Sequence, residues 1–389
     1  MRFLRGRVHG LFVIGACVAA LVVAGCGGSD DTTSSGTSGA GSTAGSTEAE
    51  GGGAFPAAEK ANAENEKRPT SIGLTKPVGK PIPKGKVIDF IQCGVPACET
   101  ERQILEEATD LLGWKLKSID AGVTPEEIKA AYQQAINDRP DAVLSSGNPR
   151  ALYEQELQQL AKLEIPVVQA FVGDEPGNGL TGVVGGPKAS EHEGKGMADF
   201  ILSHAGSEDL TVGQVYVNGF ETTVIVAESL KKELEAQCPS CETKDLVVPV
   251  ASIGSDLPQR VASFFTSNPN VEWASIAYSD LVVGLPTALK GAGVENAKLV
   301  TLNLNTAIAP YMEKGEYLEL GFDVSFPEAY WREIDLLARL FTGQPYEEDL
   351  DDSTLPYWAV TAETLPSTTE EFPAVVDYEE QYKKLWGLG

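Results

Sequence analysis

The sequence predicts an α/β protein of two doubly wound parallel-sheet lobes, and three observations carry that expectation. From Val87 onward, short runs rich in β-branched residues alternate with stretches whose apolar residues recur every three or four positions. The alternation starts afresh near Val212, so the second half-chain repeats the design of the first. A helix-length segment separates most successive strand candidates, which parallel pairing requires because the chain must return to the starting edge of the sheet.

In the first half, strands are expected at Val87 to Ile91, Leu116 to Ile119, Ala142 to Ser145, Pro166 to Phe171 and Leu180 to Val184. Helices are expected over Glu99 to Leu112, Pro125 to Ile136 and Ala151 to Leu163. Thr124-Pro125-Glu126-Glu127 has the polar cap, proline and acidic residues of a helix start, and Gly113 marks a stop. The second half runs through strands at Val212 to Val217, Leu246 to Val250, Trp273 to Ala277 and Leu299 to Asn303. Its helices span Thr222 to Ala236, Leu257 to Ser267 and Leu281 to Ala292. Ligands of such sheets sit beyond the carboxyl ends of the strands, so two lobes turned toward each other enclose a cleft suited to a small molecule.

Ahead of this body lies a different kind of sequence. Arg2, Arg5 and Arg7 precede an apolar run from Leu11 to Ala24, and Val23-Ala24-Gly25-Cys26 looks like a lipobox. The run is shorter than the roughly 20 residues a membrane-spanning helix needs, so residues 1–25 read as a removable export signal. Cys26 would then carry the lipid that holds the mature chain on a membrane surface, at the outer face of the cytoplasmic membrane or in the periplasm. From Gly27 to about Lys86 the composition turns to Gly, Ser, Thr and Ala with a proline-rich end. Too little apolar area is available there to offset chain entropy, so 26–85 reads as a flexible linker with a reach of about 45 Å.

The formal charge of −26 becomes −29 when the three signal arginines leave, and such acidity repels phosphate backbones, which excludes nucleic acid as a partner. With 42% hydrophobic residues the chain can bury a sizeable core.

The body resembles the type I periplasmic binding proteins, in particular the ribose and sugar-binding branch that serves ABC importers. The residues that carry the resemblance, between about Lys86 and Pro366, are Val87-Ile88-Asp89-Phe90-Ile91, Leu112-Gly113-Trp114, Ile136-Asn137-Asp138-Arg139-Pro140-Asp141-Ala142 and Ile165-Pro166-Val167-Val168. In the second half they are Ala277-Tyr278-Ser279-Asp280, Leu299-Val300-Thr301-Leu302-Asn303 and Gly321-Phe322-Asp323 before Pro327. The resemblance implies a three-segment hinge near Gly185 to Lys188, Asp323 to Ser325 and Pro356 to Trp358. It divides the chain into an N-terminal lobe of 86–186 plus 325–356 and a C-terminal lobe of 187–324 plus 357–389.

Carried over position by position, the resemblance implies ligand contacts at Gln92, Val95, Cys98 and Phe171 in the first lobe. In the second it implies Asn218, Glu221, Tyr278, Asp280, Asn303 and Asp323. Two arginines of the family pattern are missing: Phe171-Val172 stands where an Asp-Arg pair is usual, and Thr223 and Val224 supply no guanidinium. Without a bidentate clamp a carboxylate or phosphate ligand is disfavoured, leaving a neutral polyol or a cation stacked on Phe171 or Tyr278.

Once Cys17 leaves with the signal and Cys26 is lipidated, Cys93, Cys98, Cys238 and Cys241 remain. In an exported chain four cysteines suggest two disulfides, and the lobe assignment favours Cys93 with Cys98 and Cys238 with Cys241. Cys238-Pro239-Ser240-Cys241 has redox spacing but follows a helix rather than opening one, which disfavours a reactive thiolate. His192 and His204 fall in one predicted helix, too far apart to share a metal, and no nucleophile elbow or P-loop is present. The sequence thus points to a monomeric, lipid-anchored receptor that takes a small sugar-like molecule to an ABC permease, with no metal, no cofactor and no catalysis. A sensory lipoprotein that docks on a signalling receptor is the alternative, and a thiol oxidoreductase a third.

Overall fold

A computed structural model describes residues 53–389; the expected signal, Cys26 and the first part of the expected linker lie outside the described residues. The chain enters through α1 (Pro56–Asn65) and builds a first sheet from β1 (Val87–Gln92), β2 (Lys115–Asp120), β3 (Ala142–Ser146), β4 (Val167–Ala170) and β5 (Leu180–Val184). Between these strands run α2 (Ala97–Leu112), α3 (Pro125–Asp138) and α4 (Glu154–Lys162). The second sheet follows α5 (Pro187–Ala205) and comprises β6 (Thr211–Val217), β7 (Glu242–Val248), β8 (Val271–Ile276), β9 (Lys298–Thr301), β10 (Leu318–Val324) and β11 (Tyr357–Val360). Its helices are α6 (Glu221–Gln237), α7 (Leu257–Ser267), α8 (Leu285–Gly291) and α9 (Ala309–Glu313). Helix α10 (Phe326–Thr342) lies between β10 and β11, and α11 (Tyr378–Trp386) closes the chain.

The two sheets share one wiring. The first has the order β2-β1-β3-β4-β5, all parallel. The second repeats it as β7-β6-β8-β9-β10 and adds β11 antiparallel at its edge. Central strands β3 and β4 are buried along their whole length, as strands covered on both faces must be, while edge strand β7 alternates with solvent. The first sheet is covered by α2, α10 and α11 on one face and by α3 and α4 on the other. In the second, α5 and α6 cover one face and α7 to α9 the opposite one. Among the described residues no helix is long and apolar enough to cross a membrane.

The chain passes between the two sheets after β5, after β10 and before β11. Val184, Ala189, Val324, Ala329 and Leu355 form a small apolar core at these passages. Asp352 accepts hydrogen bonds from the amides of Gly185 and Gly186 at 2.9 and 2.8 Å. Gly185 has φ +67°, and a β-carbon there would meet the Phe171 ring at 2.8 Å, so both conformation and space call for glycine.

Two expectations need correction. The flexible linker was expected to run to residue 85, but the described chain is packed from Phe55 onward. Phe55 and Ala58 join the core under α5, and Ile72, Leu74 and Val78 are buried beneath α10 and α11. Two buried arginines of α10 hold this strap: Arg332 donates to the carbonyl of Ile72 at 2.7 Å and Arg339 to that of Lys76. Gly73, at φ +79°, passes so close over the Thr354 carbonyl that no side chain fits. The second correction concerns 357–389: it divides near Ala374, the last of its residues in the core of the second lobe. Val375, Tyr378, Tyr382, Leu385 and Trp386 pack in the first, where Trp386 stacks on Trp331 at 5.3 Å. The strap and this returning tail therefore add two passages between the lobes to the three of the hinge.

Candidate functional site

The cleft between the lobes is built from equivalent loops of the two sheets. From the first lobe come Cys93, Val95 and Ala97 after β1, Ser146 and Gly147 at the end of β3, and Phe171 after β4. From the second come Phe220, Thr222 and Thr223 after β6, Ala277 and Tyr278 after β8, and Leu302 and Asn303 after β9. Ser190 and Glu193 of α5, Glu101 of α2 and Phe326 complete a cavity with an empty volume of ≈ 670 Å³, its mouth included. These are the carboxyl ends of the strands, beside the switch in strand order between β1 and β3 and between β6 and β8.

The lobes are shut. Asp280 accepts a hydrogen bond at 3.3 Å from the amide of Ala97, which opens α2 on the opposite lobe. The Glu221 side chain lies against Gly173, where a β-carbon would fall 2.4 Å from it.

Of the implied contacts, Val95, Phe171, Tyr278 and Asn303 line the cavity and five do not. Gln92 is tied at the end of β1 to Ser118 and Glu99. Cys98 is fully buried behind Cys93, to which it is disulfide-bonded, and Cys93 takes the lining position. Asn218 is exposed, and Glu221 and Asp280 serve as contacts between lobes at the rim. Backbone Asp323 lies in β10, but its side chain lies outside the described ones. Cys238 and Cys241 are joined as expected, at the end of α6 and away from the cavity.

Phe171 and Asn303 occupy matching places after β4 and β9, and both have positive φ, +52° and +54°. Asparagine adopts this conformation readily, whereas for phenylalanine it costs about 1–2 kcal/mol, held here by the packing of the ring on Phe326 and Tyr330 at 5.2 and 5.7 Å. Across the cavity Phe220 meets Tyr278 edge to face at 6.2 Å. The cleft therefore presents one pair of rings from each side.

Sequence reasoning missed Glu101 and Glu193, which are 5% and 4% exposed. The Glu101 carboxyl accepts from Ser146 Oγ at 2.5 Å. Burial pushes its pKa up to about 7, against the hydrogen bonds that favour its charged form and with the help of Asp280. Behind it Glu333 of α10 is fully buried, without a hydrogen-bond partner among the described residues, and burial followed by the charge of Glu101 holds its pKa well above the carboxylate range. Burial also raises Tyr278, whose hydroxyl is enclosed and unpartnered among the described residues. The one group with metal-ligand spacing among those residues is Cys93, Cys98 and Glu101, but its two sulfurs are joined and so offer no thiolate.

Sequence comparison finds no family model and no curated protein that matches. Solved structures do match. One is an ABC sugar transporter subunit from Rhodobacter sphaeroides 2.4.1, with TM-score 0.61 and 18% identity over 72% of this chain and 99% of that one. Another is a 5-methylthioribose transporter solute binding protein from Thermotoga lettingae TMO, with TM-score 0.63 and 15% identity over 80% and 95%. A third is a putative LacI transcriptional regulator from Bacteroides fragilis, at TM-score 0.59 and 14% identity over 72% and 98%. Transport and regulatory proteins thus share this architecture, and the chain has the type I periplasmic binding protein fold.

Proposed function

We propose that the chain is a lipid-anchored solute receptor that captures one small, sugar-like molecule in the interlobe cleft and delivers it to an ABC importer. The observation that carries this reading is the cavity itself: it is assembled from the strand ends of both lobes, so a molecule inside it touches both and stabilises their closure. Binding and release then need only a rotation about the hinge beside Gly185, and no chemical step. The similarity to an ABC sugar transporter subunit and to a 5-methylthioribose transporter solute binding protein supports a small, sugar-like solute. Acylation of Cys26 would hold the body outside the cytoplasmic membrane, within reach of a permease.

The contact residues of this reading are Val95, Phe171, Tyr278 and Asn303, joined by Glu101, Phe220 and Phe326. A thermal-shift screen of sugars, polyols, amines and nucleosides tests it. A solute at 100 times its Kd should add about 2.7 kcal/mol of stability. Asn303→Ala and Phe171→Ala should each shrink that shift without unfolding the ligand-free protein. Unchanged affinity in both variants would remove the cleft as the binding site.

A further inference from the structure

The charge of the cavity is one-sided. Glu101 and Glu193 line it, Asp280 closes its rim, and among the described residues no Lys, Arg or His lines it. An adjoining groove shares Ala97, Asn303 and Phe326 with the cavity and continues the pattern with Glu107 and Glu371, again without a cationic side chain among the described residues. A contrasting buried acid is Asp335, which is paired with the Arg339 guanidinium at 2.5 Å. Around Glu101 the cavity wall carries π-electron-rich rings, Phe171 and Phe326 on one side and Phe220 and Tyr278 on the other. Negative carboxylates and ring faces together attract a positive charge, which either one alone does less well.

We propose that the solute taken by this cleft is a small organic ammonium, an amino sugar or an amine on a compact body, with its charged nitrogen against Glu101 and its body between the two ring pairs. The inference rests on the capture reading above and specifies its ligand. It accounts for the missing guanidinium clamps, which would repel such a molecule. It also makes uptake proton-linked. The groups facing Glu101 are Ser146, Tyr330, Glu333 and Asp280, none of them cationic, so the empty site holds a proton on the carboxyl near neutrality. An arriving ammonium favours the carboxylate, and the proton leaves to solvent. Affinity for a permanently charged solute therefore rises as the pH rises through neutrality.

Titration calorimetry on the full chain with matched pairs decides the matter: glucosamine against glucose, galactosamine against galactose, and choline against 3,3-dimethylbutan-1-ol. The ammonium member of at least one pair should bind about tenfold or more tighter than its neutral twin. For choline, whose charge does not titrate, affinity should increase between about pH 6 and about pH 8. Glu101→Gln should abolish both the preference and the pH trend while melting as a folded protein. Glu193→Gln gives a second variant should the first fail to fold, and is expected to reduce the preference. Equal or tighter binding of the neutral twins overturns the ammonium inference and leaves capture standing. Silence from all six compounds on a folded protein counts against both.

Discussion

Helix α10 contributes to two buried acidic clusters through Glu333 and Asp335, two residues apart, and they are built on opposite principles. Toward its C-terminal end Asp335 accepts from Arg339 at 2.5 Å and from the Trp386 indole at 2.6 Å, and Arg339 also reaches the Lys76 carbonyl; Asp349 lies 3.1 Å from the same guanidinium, but burial and then Asp335 push its pKa up to about 9. Toward the cleft Glu333 has no hydrogen-bond partner among the described residues, and its neighbour Glu101 has only hydroxyl groups. Burial is the same, since Asp335, Asp349 and Glu333 are all fully enclosed. The difference shows that compensation is a choice of position. Asp335, which ties helix to tail, is matched within the chain by Arg339 and the Trp386 indole, whereas Glu101 and Glu333 beside the cavity meet no cation among the described residues.

The contrast can be broken most forcefully at the matched end. Arg339→Met leaves Asp335 and Asp349 buried without a counter-charge and frees the strap at Lys76, and it should cost about 3–5 kcal/mol in denaturant unfolding. A loss below about 1 kcal/mol would mean that the two ends do not differ as argued. At the unmatched end the expected signature is a pH slope. Glu101 keeps its proton in the fold up to about 7, whereas the unfolded chain loses it near 4.5, so the folded state binds more protons between those values. Stability from this group is complete below the lower value and declines as pH rises to the higher one, by roughly 3 kcal/mol. Unfolding curves from about pH 5 to about pH 8 should show this decline, and Glu101→Gln should flatten it. Glu333→Gln, by removing a carboxyl that is costly to ionise, should stabilise the protein at neutral pH by roughly 1–3 kcal/mol. A destabilised Glu333→Gln would reveal a partner for this side chain and weaken the contrast.

Some of this was legible beforehand and some was not. The strands and helices showed because β-branched runs and three-four periodicity are local signals, and the disulfides followed once the halves were assigned to separate lobes. Glu101 was legible but overlooked. It stands in the acid-rich run Glu99 to Glu107 and looks like a solvated residue, yet it precedes Ile104, Leu105, Ala108 and Leu112 by spacings that put all five on one buried face. Glu193, one turn before Met197 on α5, has the same signature. The strap could not be read in this way. Ile72, Leu74 and Val78 are too few to predict a core contact among Thr, Gly, Lys and Pro, and the guanidiniums that capture their backbone come from residues some 260 positions later. Of the positions carried over from the resemblance, Val95, Phe171, Tyr278 and Asn303 line the cavity, whereas Cys98 is drawn behind Cys93 by their disulfide, which spacing in the sequence does not reveal.

The smallest expected effect lies at the beginning of α10, where Glu328 is an intermediate case. Its carboxyl accepts from the Val375 amide at 2.6 Å, burial raises its pKa to about 7, and Arg68 of the strap opposes that rise from a distance. Arg68 itself donates to the carbonyls of Pro373 and Ala374 at 2.8 and 3.0 Å and lies 4.7 Å over the Trp358 ring, so it joins the strap to the returning tail beside the hinge. Arg68→Ala should cost only about 1 kcal/mol of global stability, because the guanidinium is partly solvated and the ring contact is modest. Its consequences should be local: faster amide exchange in 361–377 and a Glu328 carboxyl that holds its proton to higher pH. If strap and tail restrain the hinge, scattering from the ligand-free variant should also report a wider distribution of lobe separations than the parent. An unchanged distribution with faster exchange would assign these two passages to anchoring the termini and leave the hinge to the three segments at Gly185, Ser325 and Pro356.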